Sequence, residues 1–327
     1  MSASAGHGPR VAVVGAAGAV GGQLAELLCE RGFPFSELRL FGSPDSAEQP
    51  FEYDDKRYPI EPLRDPADLT GFDIAFLAVP PSSAIEIVQA HPGPLLIDLS
   101  AAGRAPSGTL MGAPGLTPRQ RMIDLSTRMV LATPHPAAEA IAGIIKALGV
   151  EPSSVGATLM VGASSQGKAE VADLIRQSAD LLNARLNVEE DETQIAFNIF
   201  LDEREAELTA AISAQVAELL GRQPQLIMRV LRVPVLHGMA LAIFIPASSA
   251  TDGWRDRLSA APGILLLEEQ DPPGIVDAVN QEAICISAKS GPSGLALWCV
   301  FDGARRAAMS ALWAAECALP ATSAAIN

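Results

Sequence analysis

Cysteine, positive charge and long apolar runs are all scarce in this sequence of 327 residues. Its four cysteines, at positions 29, 285, 299 and 317, stand singly in apolar stretches, without the spacing of metal ligands. They read as reduced, buried thiols of a cytoplasmic protein. Lys and Arg number 23 against 38 Asp and Glu, a formal charge of −15. Such a surface repels phosphate backbones, which argues against a nucleic-acid partner. No apolar run approaches the ~18 residues of a membrane span, so no membrane partner is expected. The opening MSASAGHGPR holds no apolar segment of the signal-peptide type. What remains is globular usage, 49% hydrophobic and 19% charged with 27 Gly and 25 Pro. The length suits one large domain or two ordinary ones.

The first third alternates short apolar runs with helical patterns. Val11–Val14 is a compact, β-branched run, after which Val20, Leu24, Leu27 and Leu28 share one helical face that Gly32 stops. Leu38–Phe41, Asp73–Val79, Leu95–Leu99 and Met129–Ala132 are further strand-like runs, and Ile85–Val88 and Ile141–Leu148 read as helical. This alternation predicts a parallel sheet covered on both faces. Beyond Pro134 the rhythm changes. Val155–Val161 reads as a strand, and Lys168–Arg185 and Asp202–Leu220 read as helices. Strands then follow at Leu226–Val235, Ala240–Ile245, Ile284–Ala288 and Leu295–Phe301 with little helix between them. That predicts a largely antiparallel sheet with helices on one side. A last helix, Ala304–Ala318, is placed to return to the first domain. The expected division is residues 1–133 with 304–327, and residues 134–303.

The run Gly15-Ala16-Ala17-Gly18-Ala19-Val20-Gly21 follows the first strand and opens the first helix. Glycines there permit a tight turn and let a diphosphate approach the amides at the positive helix end, which makes Gly15, Ala17, Gly18, Val20 and Gly21 candidate cofactor contacts. The alternative is a loop that only packs helix on strand. The second strand runs into Ser43 and Asp45. A carboxylate at Asp45 can accept from ribose hydroxyls and would repel a 2′-phosphate, so NAD is favoured over NADP for any NAD(P) bound. A solvated turn after Pro44 is the competing role for Asp45.

These residues lead to a resemblance. VAVVGAAGAVGGQL, residues 11–24, resembles the opening of the aspartate-β-semialdehyde dehydrogenases, whose loop reads G-A-T-G-x-V-G. Asp98, Ser100 and Arg104 match that family's D-x-[ST]-x-x-x-R, residues 195–198 its I-A-F-N, and residues 232–235 its R-x-P-V. Residues 298–302 before the last helix resemble its terminal return. The resemblance implies an α/β protein with a Rossmann-like nucleotide-binding domain. It also implies an α+β dimerisation domain with a mixed, largely antiparallel sheet. A homodimer is implied too, or pairing with an active relative.

In that family a Cys thiolate attacks the aldehyde, hydride leaves to NADP, and phosphate releases an acyl phosphate. The nucleophile motif, N-P-x-C-[ST]-T, aligns with residues 133–138, and the Cys position is Pro136. A proline suits the first turn of a helix but has no nucleophilic atom. The family's catalytic His falls on Met239 and its active-site Gln on Met160. Its E-x-x-K has no counterpart in Asp202–Glu207, and the run that grips NADP becomes Ser43–Gln49, without Arg or Lys. Its D-N before the last helix reads Asp302-Gly303. By motif position Arg232 would bind the substrate carboxylate and Arg104 the phosphate, roles for which a guanidinium fork suits. A structural salt bridge is the alternative for each. His237 would share a strand face with Met239, displaced by roughly 6.5 Å, and is otherwise expected to be a partly buried, hydrogen-bonded His. His135 is expected to cap backbone groups in its loop. No metal site is expected, since two His lack a third ligand.

The function expected from these residues is that of a catalytically inactive relative, with no catalytic residue, that retains a dinucleotide fold and a cleft for a small anion. Two enzymatic alternatives stand beside it. One brings Cys285 or Cys299 to the site as nucleophile. The other transfers hydride directly, with His237 or His135 as acid.

Overall fold

The computed structural model describes residues 8–44, 50–90, 92–100, 109–110, 112–121, 130–151, 154–185, 193–247 and 252–319. They form two compact units, one from the described residues of Met1–His135 and Ala307–Asn327, the other from Pro136–Arg306.

In the first unit the chain runs β1 (Arg10–Val14), α1 (Ala19–Glu30), β2 (Glu37–Gly42), β3 (Phe51–Tyr53), β4 (Lys56–Tyr58), β5 (Ile60–Pro62), β6 (Ile74–Leu77), α2 (Pro81–Ala90), β7 (Leu95–Asp98), β8 (Thr109–Leu110) and β9 (Val130–Ala132). Seven strands pair in the order β5-β2-β1-β6-β7-β9-β8, with every described pairing parallel. Residues 11–14 are buried throughout, as a central parallel strand requires. Val11 and Val13 face Leu24, Leu27 and Leu28 of α1, and Ala12 and Val14 join Ile87 and Val88 of α2 on the opposite face. α1 ends where Gly32 adopts φ +59° and the Phe33 amide donates to the Leu28 carbonyl. The β3–β4 hairpin was not expected from periodicity. Its turn uses Asp54 and Asp55 at φ 50° and 61°, the left-handed pair that suits a two-residue hairpin.

The second unit contains α3 (Pro136–Leu148), β10 (Ser154–Val161), α4 (Lys168–Leu182), β11 (Phe200–Leu201), α5 (Glu205–Leu220), β12 (Gln225–Arg232), β13 (Met239–Pro246), α6 (Trp254–Ala260), β14 (Ile264–Leu266), β15 (Ile284–Gly291) and β16 (Gly294–Phe301). Its sheet order is β11-β12-β10-β13-β16-β15-β14. The sheet is mixed and largely antiparallel, with parallel pairs only at β10–β12 and β14–β15. One face packs against α3, α5 and α6 in the largest core, where Ile141, Ile145, Ile212 and Leu258 meet Leu159, Leu241 and Leu297. The other face is covered at one end by Leu267, Ile275 and Ala278, while Ile227, Phe244 and Leu265 are exposed.

Two boundaries differ from expectation for local reasons. α5 starts at Glu205 rather than Asp202, because the Asp202 amide donates to Val230 and its carboxylate accepts from the Arg204 amide. β12 ends at Arg232, before Pro234, which has no amide to offer a ladder. α6 interrupts strands that were expected to have little helix between them. The last helix, α7 (Gly303–Ala318), runs from the second unit into the first, where Ala308, Ala311 and Leu312 join the core beside α1. Among the described residues no helix is long and apolar enough to cross a membrane.

α7 is anchored by buried charge. Asp302 accepts from the Arg305 amide at 3.0 Å and from the Asn280 amide at 2.9 Å. Arg306 donates to the Glu282 carbonyl at 2.8 Å and pairs with Glu139 of α3. The Arg306 and Glu139 side chains are only 10% and 3% exposed. Removing one member of such a pair strands the other charge without water. Glu139→Ala is therefore expected to destabilise the protein by about 3–5 kcal/mol in urea unfolding, and Glu139→Leu with Arg306→Met to recover most of that loss.

Candidate functional site

The glycine loop lies at the carboxyl end of β1, with β2 on one side and β6 on the other. This is the switch point at which open parallel sheets take their ligands. Gly15 turns the chain at φ +84°, and the amides of Gly15 and Ala16 donate to the Phe41 carbonyl at 2.8 and 3.0 Å. A Cβ on Gly15 would lie 2.1 Å from the Ala78 oxygen, and one on Gly21 would lie 2.2 Å from the Gly15 oxygen. Gly15 thus lets the loop pass close to the residues after β6, and Gly21 serves the close approach of α1 to the end of β1. Gly18 is different: it is exposed, caps α1 at φ −78° and makes no side-chain cap. Ala19 is exposed beside it, and Ala17 and Val20 are half-buried. The amides of the first helical turn have no acceptor within the helix and stand at its positive end. Methyl groups are the only side chains on Ala16, Ala17 and Ala19. A diphosphate fits these surroundings. Ser43 is exposed at the end of β2, and Asp45 lies outside the described residues.

At the ends of β7 and β9, Asp98 is buried and its Oδ1 accepts from the Ser100 amide at 2.8 Å. Its backbone carbonyl accepts from the Thr133 amide at 2.8 Å. Burial pushes the Asp98 carboxyl above its ordinary range, and the hydrogen bonds from Ser100 oppose that rise. Asp98 and Ser100 thus tie two strand ends together. Arg104 lies outside the described residues. Residues 133–136 are all buried, His135 among them at 8% exposure.

Pro136 is the first residue of α3, the position where a missing amide costs nothing. Ala137 and Ala138, which follow it, share a core with Met239. The strand registers put Met239 in a definite place. Phe200 pairs with Arg232, Arg232 with Val161, Val161 with Met239, and Met239 with Phe301. These five residues form one cross-strand row on the helix-covered face, about 4.8 Å from strand to strand. Met239 is buried against Gly303, where a Cβ would come within 2.7 Å of its sulfur and terminal methyl. Met160 does not join this row. It pairs with Ala240, so its side chain takes the opposite face, packed with Ala278, Cys285 and Val300.

His237 departs from expectation. It precedes β13 in a turn, next to Gly238 at φ +93°, and is exposed rather than partly buried. Without a strand it shares no face with Met239. Asp202 accepts from the Gln166 side chain at 2.9 Å, and Glu205 pairs with Arg229 of β12 at 2.6 Å, so the acids at the start of α5 tie it to neighbouring segments.

Arg232 has a partner that the sequence does not reveal. Its guanidinium pairs with Glu170, from the first turn of α4, and lies 5.1 Å from the centre of the Phe200 ring. The two side chains are 15% and 21% exposed. Burial lowers the Arg232 pKa. Val161, Gly162, Val233 and Pro234 complete a recess of about 10 Å³, room for one water. Gln177 is a second unanticipated residue: its buried side chain accepts from the Ile195 and Ala196 amides and donates to the Thr193 carbonyl, clamping the I-A-F-N segment.

All four cysteines are free. Cys285, Cys299 and Cys317 are buried and Cys29 is half-buried. Burial raises the pKa of each thiol. For Cys29 a hydrogen bond from Tyr58 and the charge of Lys56 only partly offset the rise. Cys285 faces away from the row, while Cys299 shares its face deep within the core. Among the described residues no three His, Cys, Asp or Glu side chains are grouped to hold a metal.

Residues 10–142 match the family described as semialdehyde dehydrogenase, NAD binding domain, and residues 141–306 match semialdehyde dehydrogenase, dimerisation domain. A USG-1 protein homolog of Pseudomonas aeruginosa is 31% identical over 325 residues, covering 91% of this chain and 94% of that protein. An aspartate-semialdehyde dehydrogenase of Synechocystis is 27% identical over 338 residues, covering 94% and 96%. Among solved structures, a probable aspartate-semialdehyde dehydrogenase from Pseudomonas aeruginosa superposes with a TM-score of 0.81 at 29% identity, covering 95% of this chain and 98% of that one. Aspartate semialdehyde dehydrogenase II from Vibrio cholerae gives 0.81 at 25% identity with the same coverage.

Raised thiol pKa values mean less thiolate at pH 7 than a free cysteine has. Iodoacetamide is therefore expected to alkylate every cysteine of the native protein more slowly than it does glutathione at pH 7. The rates should climb only as pH passes the ordinary thiol range. Peptide mapping by mass spectrometry reads each site, and one fast cysteine at pH 7 would contradict the assignment.

Proposed function

The chain belongs to the semialdehyde dehydrogenase family, and we propose that it is a non-catalytic member that binds a dinucleotide and self-associates. The residue that carries this conclusion is Pro136, the first residue of α3, where the family motif has its nucleophile. Met239, a buried thioether, takes the position of the base, and every thiol in the chain has its pKa raised by burial. Covalent attack on an aldehyde needs a thiolate and a proton acceptor within about 3 Å, and the residues on this row supply neither. A rescuing thiol is opposed by the positions of Cys285 and Cys299. A direct hydride route through His237 is opposed by its exposed turn.

Dinucleotide binding is supported by the open first turn of α1 at the switch point and by the NAD-binding family match. The amides of Ala17, Ala19, Val20 and Gly21 would hold the diphosphate, the Gly18 amide being bonded to the Gly15 carbonyl, and the bound dinucleotide would supply a hydride acceptor. NAD is favoured over NADP because residues 43–49 hold no Arg or Lys to pair with a 2′-phosphate. Gly18→Asp separates binding from folding. Asp is a good helix N-cap, yet its charge opposes a diphosphate at the same amides. The variant should keep its thermal midpoint and lose NAD affinity by about tenfold or more, since one tenfold step is about 1.4 kcal/mol. Calorimetric titration reads the affinity. Wild-type protein that binds no dinucleotide, or a variant that binds as wild type does, would refute the site. Phosphate-dependent reduction of NAD or NADP with aspartate β-semialdehyde, abolished by a thiol blocker, would refute the loss of catalysis.

Self-association is supported by the match to a dimerisation domain and by the open face of the second sheet. Ile227 and Phe244 are 63% and 42% exposed there, around the small residues Gly156, Ala242 and Ala296. An exposed apolar face of that kind suits pairing with a second copy of itself in a two-fold arrangement. Phe244→Asp should shift sedimentation from dimer to monomer, and an unchanged dimer would move the interface elsewhere.

A further inference from the structure

Glu170 lines the recess at Arg232 and pairs with its guanidinium. Arg232 closes β12, level with Phe200 on one side and Val161 on the other. Its guanidinium is mostly withdrawn from water, with an aromatic ring 5.1 Å away and the apolar walls of Val161, Val233 and Pro234 around it. A guanidinium in such surroundings calls for a carboxylate, because its planar fork matches two carboxylate oxygens and because an unpaired buried cation is costly. Glu170 provides one from the first turn of α4, a helix of 15 residues whose positive end also favours an acid there. With Glu170 in place, the space left beside Arg232 is about 10 Å³, too small for any carboxylic acid.

We propose that Glu170 is a built-in carboxylate ligand of Arg232, and that it keeps closed a latent site for small carboxylates. The proposal rests on Arg232 being the anion seat of this chain, and is independent of whether the dinucleotide loop is used. A tethered carboxylate acts at an effective concentration on the order of millimolar even on a flexible linker, and more when a helix pre-places it. Free acids must displace it, so the native protein shows only the fraction of affinity left by the closed state. Shortening residue 170 opens the recess and leaves Arg232 without its counter-charge. The specificity then follows from the fork: planar carboxylates bind, and spherical anions bind less well.

Sodium acetate titrated at constant ionic strength against sodium chloride tests this, read by calorimetry and by the NMR signal of the Arg232 side chain. Glu170→Ala should bind acetate about tenfold or more tightly than wild type, with chloride a weaker competitor. Adding Arg232→Met to Glu170→Ala should abolish that binding. Acetate binding equally to wild type, to neither protein, or to the double variant would overturn the proposal, as would chloride binding as well as acetate. Should Glu170→Ala not fold, Glu170→Ser serves with the same readouts. Failure here leaves the Gly18→Asp and turnover experiments untouched, so the two conclusions fall separately.

Discussion

Val161 ends β10 level with Arg232 on β12 and with Met239 on β13, because β10 pairs in parallel with one neighbour and antiparallel with the other. The ladders beyond extend the line to Phe200 and Phe301. Residues from five separate segments are therefore held in one row by backbone hydrogen bonds, whatever their side chains are. The row has a single cation and no thiol or imidazole. Its chemistry follows from that content. Its thioether, aliphatic and aromatic side chains at Met239, Val161 and Phe301 join the packed core.

Met239 on this row and Gly303 beside it are coupled by volume. Met239 occupies space that a side chain at position 303 would need, and position 303 is glycine. Protein interiors are packed as tightly as organic crystals, so a longer side chain at one place requires a shorter one beside it. Pro136 fits by the opposite logic. It removes an amide at the one place in a helix where the amide has no partner. Both residues are compatible with the fold, whose architecture superposes with a TM-score of 0.81 on solved relatives at 29% and 25% identity.

Charge is distributed in a similar way. Acids outnumber bases in this chain, and two of its largely withdrawn arginine side chains, Arg232 and Arg306, each meet a carboxylate supplied by a helix. Arg232 has Glu170 of α4, and Arg306 has Glu139 of α3. A buried ion pair contributes little net stability, but breaking it is expensive. The pairs therefore act more as constraints on which helix sits where than as a source of stability. At Arg232 the same constraint ties the end of β12 to the first turn of α4.

The order of secondary structure was legible in the sequence because it depends on short-range physics. Period-two and period-3.6 apolar patterns, the glycines of the first loop and the prolines at strand and helix ends all act within a few residues. The family and its two-part architecture followed from contiguous motifs. Tertiary structure decided what depends on register and on partners distant in the chain. It separated Met160 from Met239 by one strand step, which turns a side chain to the opposite face. It put His237 in a turn, where the strand argument for it does not apply, and it brought Glu170 to Arg232 and Gln177 to the I-A-F-N segment. No local pattern encodes those pairings, because an ion pair or a buried amide clamp needs only that two surfaces meet, and the meeting is set by the packing of whole elements.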